Sequence, residues 1–188
     1  MKITCILGSP VRQGNTDTMV RALLDGVKKE RAGTVDWFVL NDLVFRGCQA
    51  CDGCKETPTS PCVEADDMLA VHGSLRTADL LVVASPLYMD GVTAPVKGFM
   101  DRLNAFFGAD WTPRLPGLRT VLLYSQGMDD EHAYDDVFGL MERVYGKFGL
   151  QVVRRVVLAD ASGHDVAGQS AELSAQLDTL GRELARES

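Results

Sequence analysis

The feature that most constrains this chain is an alternation. Short, largely apolar runs at 3–7, 35–40, 80–84, 121–124 and 152–158 are each followed by a longer stretch with helical periodicity. The helix-like stretches are 17–31, 67–77, 93–105, 134–148 and 169–187, and the first repeats Met19, Leu23, Leu24 and Val27 on one face. Pro95 stands near the start of the third, where its missing N–H does no harm. The runs Leu80-Leu81-Val82-Val83-Ala84 and Val121-Leu122-Leu123-Tyr124 are almost wholly apolar, as in strands covered by helices on both faces. Five βα units of this kind argue for an α/β fold with a parallel sheet and right-handed crossovers. With 188 residues and no internal repeat or linker, a single domain over 1–188 is expected. Two segments break the rhythm, 41–65 and 106–117. Loops this long in a compact domain usually carry function or move.

Composition narrows the partners. Apolar residues make up 46% and charged residues 24%, ordinary for a globular chain. The net charge of −7 leaves no basic footprint for nucleic acid or anionic lipid. The opening run from Ile3 to Leu7 is broken by Thr4 and stops at Gly8, too short for a signal peptide. No stretch approaches the roughly 20 apolar residues of a spanning helix. A cytoplasmic protein is therefore expected, in a compartment where disulfides are rare. Four of the five cysteines, Cys48, Cys51, Cys54 and Cys62, lie within fifteen residues. In reducing surroundings that grouping points to metal or redox chemistry.

The first strand runs into Gly8-Ser9-Pro10-Val11-Arg12-Gln13-Gly14-Asn15-Thr16 and then a helix. A helix N-terminus offers free N–H groups and partial positive charge to a phosphate. Ser9, Asn15 and Thr16 add side-chain donors, and Arg12 adds a cation. Ligands of open α/β sheets sit outside the carboxyl ends of the strands, where this loop belongs. Neither G-x-x-x-x-G-K-[ST] nor G-x-G-x-x-G is present. The competing reading is a plain turn with Asn15 or Thr16 as an N-cap.

The pattern G-S-P-x-x-x-G-N-T after a first strand resembles the flavodoxin-like NAD(P)H-dependent FMN reductases, in particular their iron–sulfur flavoprotein branch. Ser85-Pro86-Leu87-Tyr88 after the third strand, with Lys97, Asp101 and Arg102 beyond it, extends the resemblance over almost the whole chain. It implies a flavodoxin-like three-layer α/β/α sandwich whose five-stranded parallel sheet has the order 2-1-3-4-5. It further implies FMN, with Ser9, Arg12, Asn15 and Thr16 on the phosphate. Pro86, Leu87, Tyr88 and Met89 would line the isoalloxazine, and Gln126 and Gly127 would close a further side. Lys97, Asp101 and Arg102 read as architectural, as exposed ion pairs worth little each.

The cysteines form C-x2-C-x2-C-x7-C. Three thiols two residues apart can wrap one face of a cubane cluster. The fourth needs slack, which 55–61 supplies with Pro58 and Pro61. Zinc, free thiols or a redox disulfide compete, although structural zinc more often takes two separated C-x2-C pairs. The resemblance implies a [4Fe–4S] cluster on Cys48, Cys51, Cys54 and Cys62, within an insertion at about 41–65. Cys5 reads as a buried filler. Asp66 and Asp67 read as caps for the second helix. His72 reads as a helix-surface residue, and His132 lies in a loop near the flavin mouth.

Three functions follow. The first is a flavin-dependent oxidoreductase passing electrons between FMN, the cluster and a small-molecule or protein redox partner. The second is an NAD(P)H-dependent FMN or quinone reductase without a functional cluster, NAD(P)H being the electron donor. The third is a zinc-stabilised binding module with no catalysis. No protein side chain is expected to be catalytic, because flavin carries the chemistry. Phe106, Phe107, Trp111 and Pro113 read either as an interface patch of a homodimer or homotetramer or as local core.

Overall fold

The computed structural model describes residues 1–56 and 62–187. Five strands form a parallel sheet: β1 (Lys2–Leu7), β2 (Thr34–Val39), β3 (Leu80–Tyr88), β5 (Arg119–Ser125) and β6 (Gln151–Leu158). A two-residue strand, β4 (Gly91–Val92), folds back antiparallel on the end of β3. The order β2-β1-β3-β5-β6 is the expected parallel order with this hairpin added. The helices are α1 (Asn15–Glu30), α2 (Met68–Leu75), α3 (Ala94–Arg102), α4 (Asp135–Lys147), α5 (Val166–Gln169) and α6 (Ala171–Arg186). The expected last helix is α6, capped by the Ser170 hydroxyl through Leu173 N, and the one-turn α5 precedes it. The third stops as an α-helix at Arg102 and continues as a 3₁₀ turn over Leu103–Phe106.

The uninterrupted apolar strands do what the pattern predicts. Leu80, Val82 and Ala84 face α1 and α6, whereas Leu81 and Val83 face α2, α3 and α4. Side chains alternate across a strand, so both faces need apolar residues to bury both layers. The α1–α6 layer is unusually close. A Cβ on Gly181 would stand 2.1 Å from the Leu23 carbonyl oxygen, and one on Gly26 would stand 2.0 Å from that of Asp178.

The chain order reverses between β1 and β3. Connections from these neighbours leave in opposite directions, which opens a crevice at their carboxyl ends. Among the described residues, no helix is long and apolar enough to cross a membrane.

Candidate functional site

At that crevice lies a cavity of about 180 Å³. Its wall includes Ser9, Gly14, Asn15 and Thr16 from the first loop, Pro86 and Tyr88 from the end of β3, and Ser125 from the end of β5. The loop after β6 completes it with Ala161, Ser162, Gly163 and His164. This last segment carries no motif, and sequence reasoning did not reach it.

Local chemistry shapes the first loop. Gly8 N donates to Ala84 O and Thr93 Oγ1 donates to Gly8 O, both at 2.8 Å. A Cβ on Gly8 would stand 2.2 Å from Val96, so only glycine lets the loop lie on the start of α3. Ser9 Oγ accepts from Val11 N, and Asp17 Oδ2 accepts from Gln13 N. Gly14 begins α1 without a side-chain cap. The first-turn N–H groups therefore face the cavity region without an intrahelical partner. Thr16 Oγ1 is buried there with no hydrogen-bond partner. A buried hydroxyl left unpaired costs about 1–3 kcal/mol. An anion at the helix N-terminus would remove that cost, so the residues present fit a phosphate.

Asn15 is used differently. Its Nδ2 donates to Gly163 O at 2.6 Å and Ala161 O at 3.4 Å, and its Oδ1 accepts from Ala167 N at 2.9 Å. All its side-chain groups thus pin the loop after β6 to the start of α1. Gln126 serves a similar end. Its side chain donates to Asp130 O and accepts from Met128 N, while its backbone pairs with Leu158 and Ala161. Gly127 is exposed beside Ser162. Arg12 turns away to pair with Asp42 at 2.5 Å.

Beyond Pro86, Leu87 packs on the core while Tyr88 and Met89 project outward. Met89 and Asp90 form the two-residue turn to β4 with φ of 47° and 58°. Such positive angles suit a tight hairpin but strain a side chain other than glycine. Met89 is 98% exposed at this tip. The Tyr134 hydroxyl bonds to Asp90, which raises its pKa.

The second site is the loop after β2. Cys48, Cys51, Cys54 and Cys62 line one small pocket with Arg102, Asn104 and Ala105. Ala50 and Asp52, which separate the first three cysteines, both take left-handed backbone, with φ of 52° and 55°. Left-handed residues set among right-handed ones turn successive N–H groups inward, a concavity that suits anions and iron–sulfur sites. Ala50 N and Asn104 Nδ2 already point at Cys48 Sγ, at 3.5 and 3.6 Å. Burial raises the Cys54 thiol, with Cys62 and Cys48 adding to it against Lys55. No three of His, Cys, Asp and Glu among the described residues come together as ligands of one metal ion. A cubane asks for wider spacing, since each thiolate binds a different iron. Four thiols lining one pocket are the donor set an iron–sulfur cluster takes. Pro58 and Pro61, read as shaping the slack before Cys62, lie outside the described residues.

Two readings of single residues are corrected. Arg102 is 1% exposed, unlike the exposed pair Lys97–Asp101. It turns inward because Asp66 meets it with two oxygens, at 2.5 and 3.0 Å. His72 is 3% exposed and packs edge-on against Phe106, because α2 is covered on that side by the 3₁₀ turn after α3. Phe106 is fully buried, whereas Trp111 is 68% exposed and packs its edge on Phe107. Asp66 does accept from Met68 N at the start of α2, as a cap would. Cys5 is a buried filler, its thiol pushed up to about 12 by burial and then by Asp36. His132 is exposed and pairs with Asp135.

This is a flavodoxin-like α/β protein with a polar cavity at its topological switch point and a cysteine-lined pocket at the far end of α3. The family model described as NADPH-dependent FMN reductase matches residues 1–165. The chain belongs to that family, and it is similar to curated proteins named iron–sulfur flavoproteins. It is 36% identical over 102 residues to an iron–sulfur flavoprotein of Methanosarcina thermophila, covering 54% of this chain and 52% of that one. With one from Archaeoglobus fulgidus it shares 28% over 178 residues, 94% of this chain and 77% of the other. The match to the first thus spans about half of that relative's length. An NAD(P)H:quinone oxidoreductase from Methanothermobacter marburgensis shares the fold, with a TM-score of 0.74 and 20% identity over 98% of this chain and 96% of the other.

Proposed function

We propose that this chain is an FMN-dependent oxidoreductase that exchanges electrons between FMN and a [4Fe–4S] cluster, and through them with a redox partner. The observation that carries the reading is the pair of sites in one chain, a helix N-terminus with an orphaned hydroxyl and four cysteines around one nest-lined pocket. A single domain over 1–188 with the cysteine insertion at about 41–65 accommodates both.

FMN supplies the exchange between two-electron and one-electron chemistry, and the cluster carries single electrons. The protein's part is binding and orientation. The N–H groups at the start of α1, with Ser9 and Thr16, hold the phosphate. Asn15 holds the loop 161–164 that closes the cavity. Pro86 and Tyr88 border the ring, with Met89 at its open edge and Gln126 bracing the opposite loop. Cys48, Cys51, Cys54 and Cys62 hold the cluster. Helix α3 ties the sites together. Its start packs on Gly8 and its end borders the cysteines, about 13 Å apart along nine residues.

The test is a visible spectrum of anaerobically purified protein, with iron and sulfide assays on the same sample. Flavin bands over broad cluster absorption, with about four irons per chain, are expected. Flavin without iron or sulfide would leave an NAD(P)H-dependent FMN or quinone reductase. That second reading draws on the exposed Tyr88 and Met89, which leave an open approach for a nicotinamide ring. Its check is bleaching of the flavin by NAD(P)H. Exposed Trp111 supports a homodimer or homotetramer, which light scattering would refute by a monomer mass at all concentrations.

A further inference from the structure

The segment that carries the cysteines is closed at its neck by one buried cation. Arg102 Nη1 donates to the Arg46 carbonyl at 2.9 Å, two residues before Cys48. The same guanidinium holds the Asp66 carboxylate, four residues after Cys62. Around it, Val44 and Asp67 exchange hydrogen bonds, and Arg46 N donates to Asp66. These bonds give Nη1 two partners and Nη2 one. Nε is buried without a hydrogen-bond partner, and Arg102 lines the cysteine pocket. Burial alone would lower the guanidinium pKa, yet Asp66 and Cys62 raise it above its ordinary value.

We propose that Arg102 is a positioning residue for the cysteine site, its free Nε–H directed to the Cys62 sulfur so that a buried positive charge stands beside the cluster and favours its reduced form. Asp66 opposes this influence while orienting the guanidinium. The inference rests on the cluster reading for its redox part only. The contact with Cys62 concerns the protein alone.

The two partners give the test its sign. Removing the cation in Arg102→Gln leaves Asp66 uncompensated and makes the cluster harder to reduce. Removing the anion in Asp66→Asn leaves the cation uncompensated and makes it easier. At a fixed ambient potential, the reduced-to-oxidised ratio is expected to fall about tenfold in the first and rise about tenfold in the second, 59 mV for a one-electron couple. Arg102→Lys keeps the charge without the fork, and lies between Gln and wild type. Equal midpoints in all four proteins, or shifts of the same sign in Gln and Asn, would overturn the inference while leaving the cluster reading intact.

A second measurement needs no cluster. In metal-free protein at pH 7, the Arg102 Nε–H resonance is expected to shift and to lose protection from solvent exchange in Cys62→Ala. This outcome in a wild type that binds no iron would support the Arg102–Cys62 contact and refute the cluster. An unchanged Nε–H resonance in folded Cys62→Ala would overturn the contact itself.

Discussion

Replacing Asn15 with alanine separates two roles that its position allows. Its side chain makes two well-formed hydrogen bonds, to Gly163 O and from Ala167 N, and a longer one to Ala161 O. A buried neutral hydrogen bond contributes about 1 kcal/mol, and an abandoned buried N–H costs about 1–3 kcal/mol. The residue is 9% exposed, so water does not readily replace what is lost. Together these place the cost at about 3 kcal/mol, roughly a hundredfold in the equilibrium that keeps the loop 161–164 closed on α1. Hydrogen exchange at the Ala167 amide should report this as up to a hundredfold loss of protection in FMN-free Asn15→Ala. FMN affinity, followed by quenching of flavin fluorescence, should fall by up to the same factor, because an open loop subtracts from the binding-competent population. Asn15→Asp should keep the bond from Ala167 but turn a carboxylate towards two carbonyls and the phosphate, and so bind FMN more weakly than Asn15→Ala. If Ala167 exchanges in Asn15→Ala as it does in wild type while FMN affinity drops, the side chain contacts the phosphate directly and the clamp argument fails.

Other perturbations follow from single contacts. Thr16→Val keeps the shape of a residue whose hydroxyl has no partner. Urea unfolding of the FMN-free protein should therefore show a gain of about 1–3 kcal/mol, while FMN affinity falls about 5–30-fold, the worth of about 1–2 kcal/mol; unchanged affinity would remove Thr16 from the phosphate site. His72 is lowered from 6.5 to about 4 by burial, then by Arg102 and Arg76. The unfolded chain takes up this proton first, so the stability held above pH 6.5 declines as pH falls towards 4, by about 3 kcal/mol in all. Urea midpoints between pH 7.5 and 4.5 should lose most of that slope in His72→Leu, and an equal slope in both proteins would count against it. Gly181→Ala places a methyl against the Leu23 carbonyl and should cost about 3 kcal/mol in urea unfolding at constant m. A midpoint equal to that of wild type would mean that α1 and α6 can separate without penalty.

The periodicity of the chain determined the parallel sheet. Five apolar runs and five helical stretches leave few other ways to bury both faces of each strand, and their boundaries fall within a few residues of the observed elements. The first loop and the cysteine spacing were equally legible, because local chain order puts glycine, donors and thiols where their chemistry needs them. Tertiary structure decided everything that depends on residues far apart in sequence. Asn15 reads as a donor for phosphate, but its side chain is engaged by residues about 150 positions away. Arg102 reads as a surface charge beside Asp101, yet helix rotation sends one outward and the other into Asp66. His72 looks solvent-facing until the turn after α3 covers it. The left-handed Met89, Ala50 and Asp52 leave no mark in a sequence where glycine would be the usual signal. Periodicity sets which face of an element is buried, because that follows from the geometry of one helix or strand. Which partner a buried polar group meets follows from how elements cross, and that is fixed only when the chain has packed.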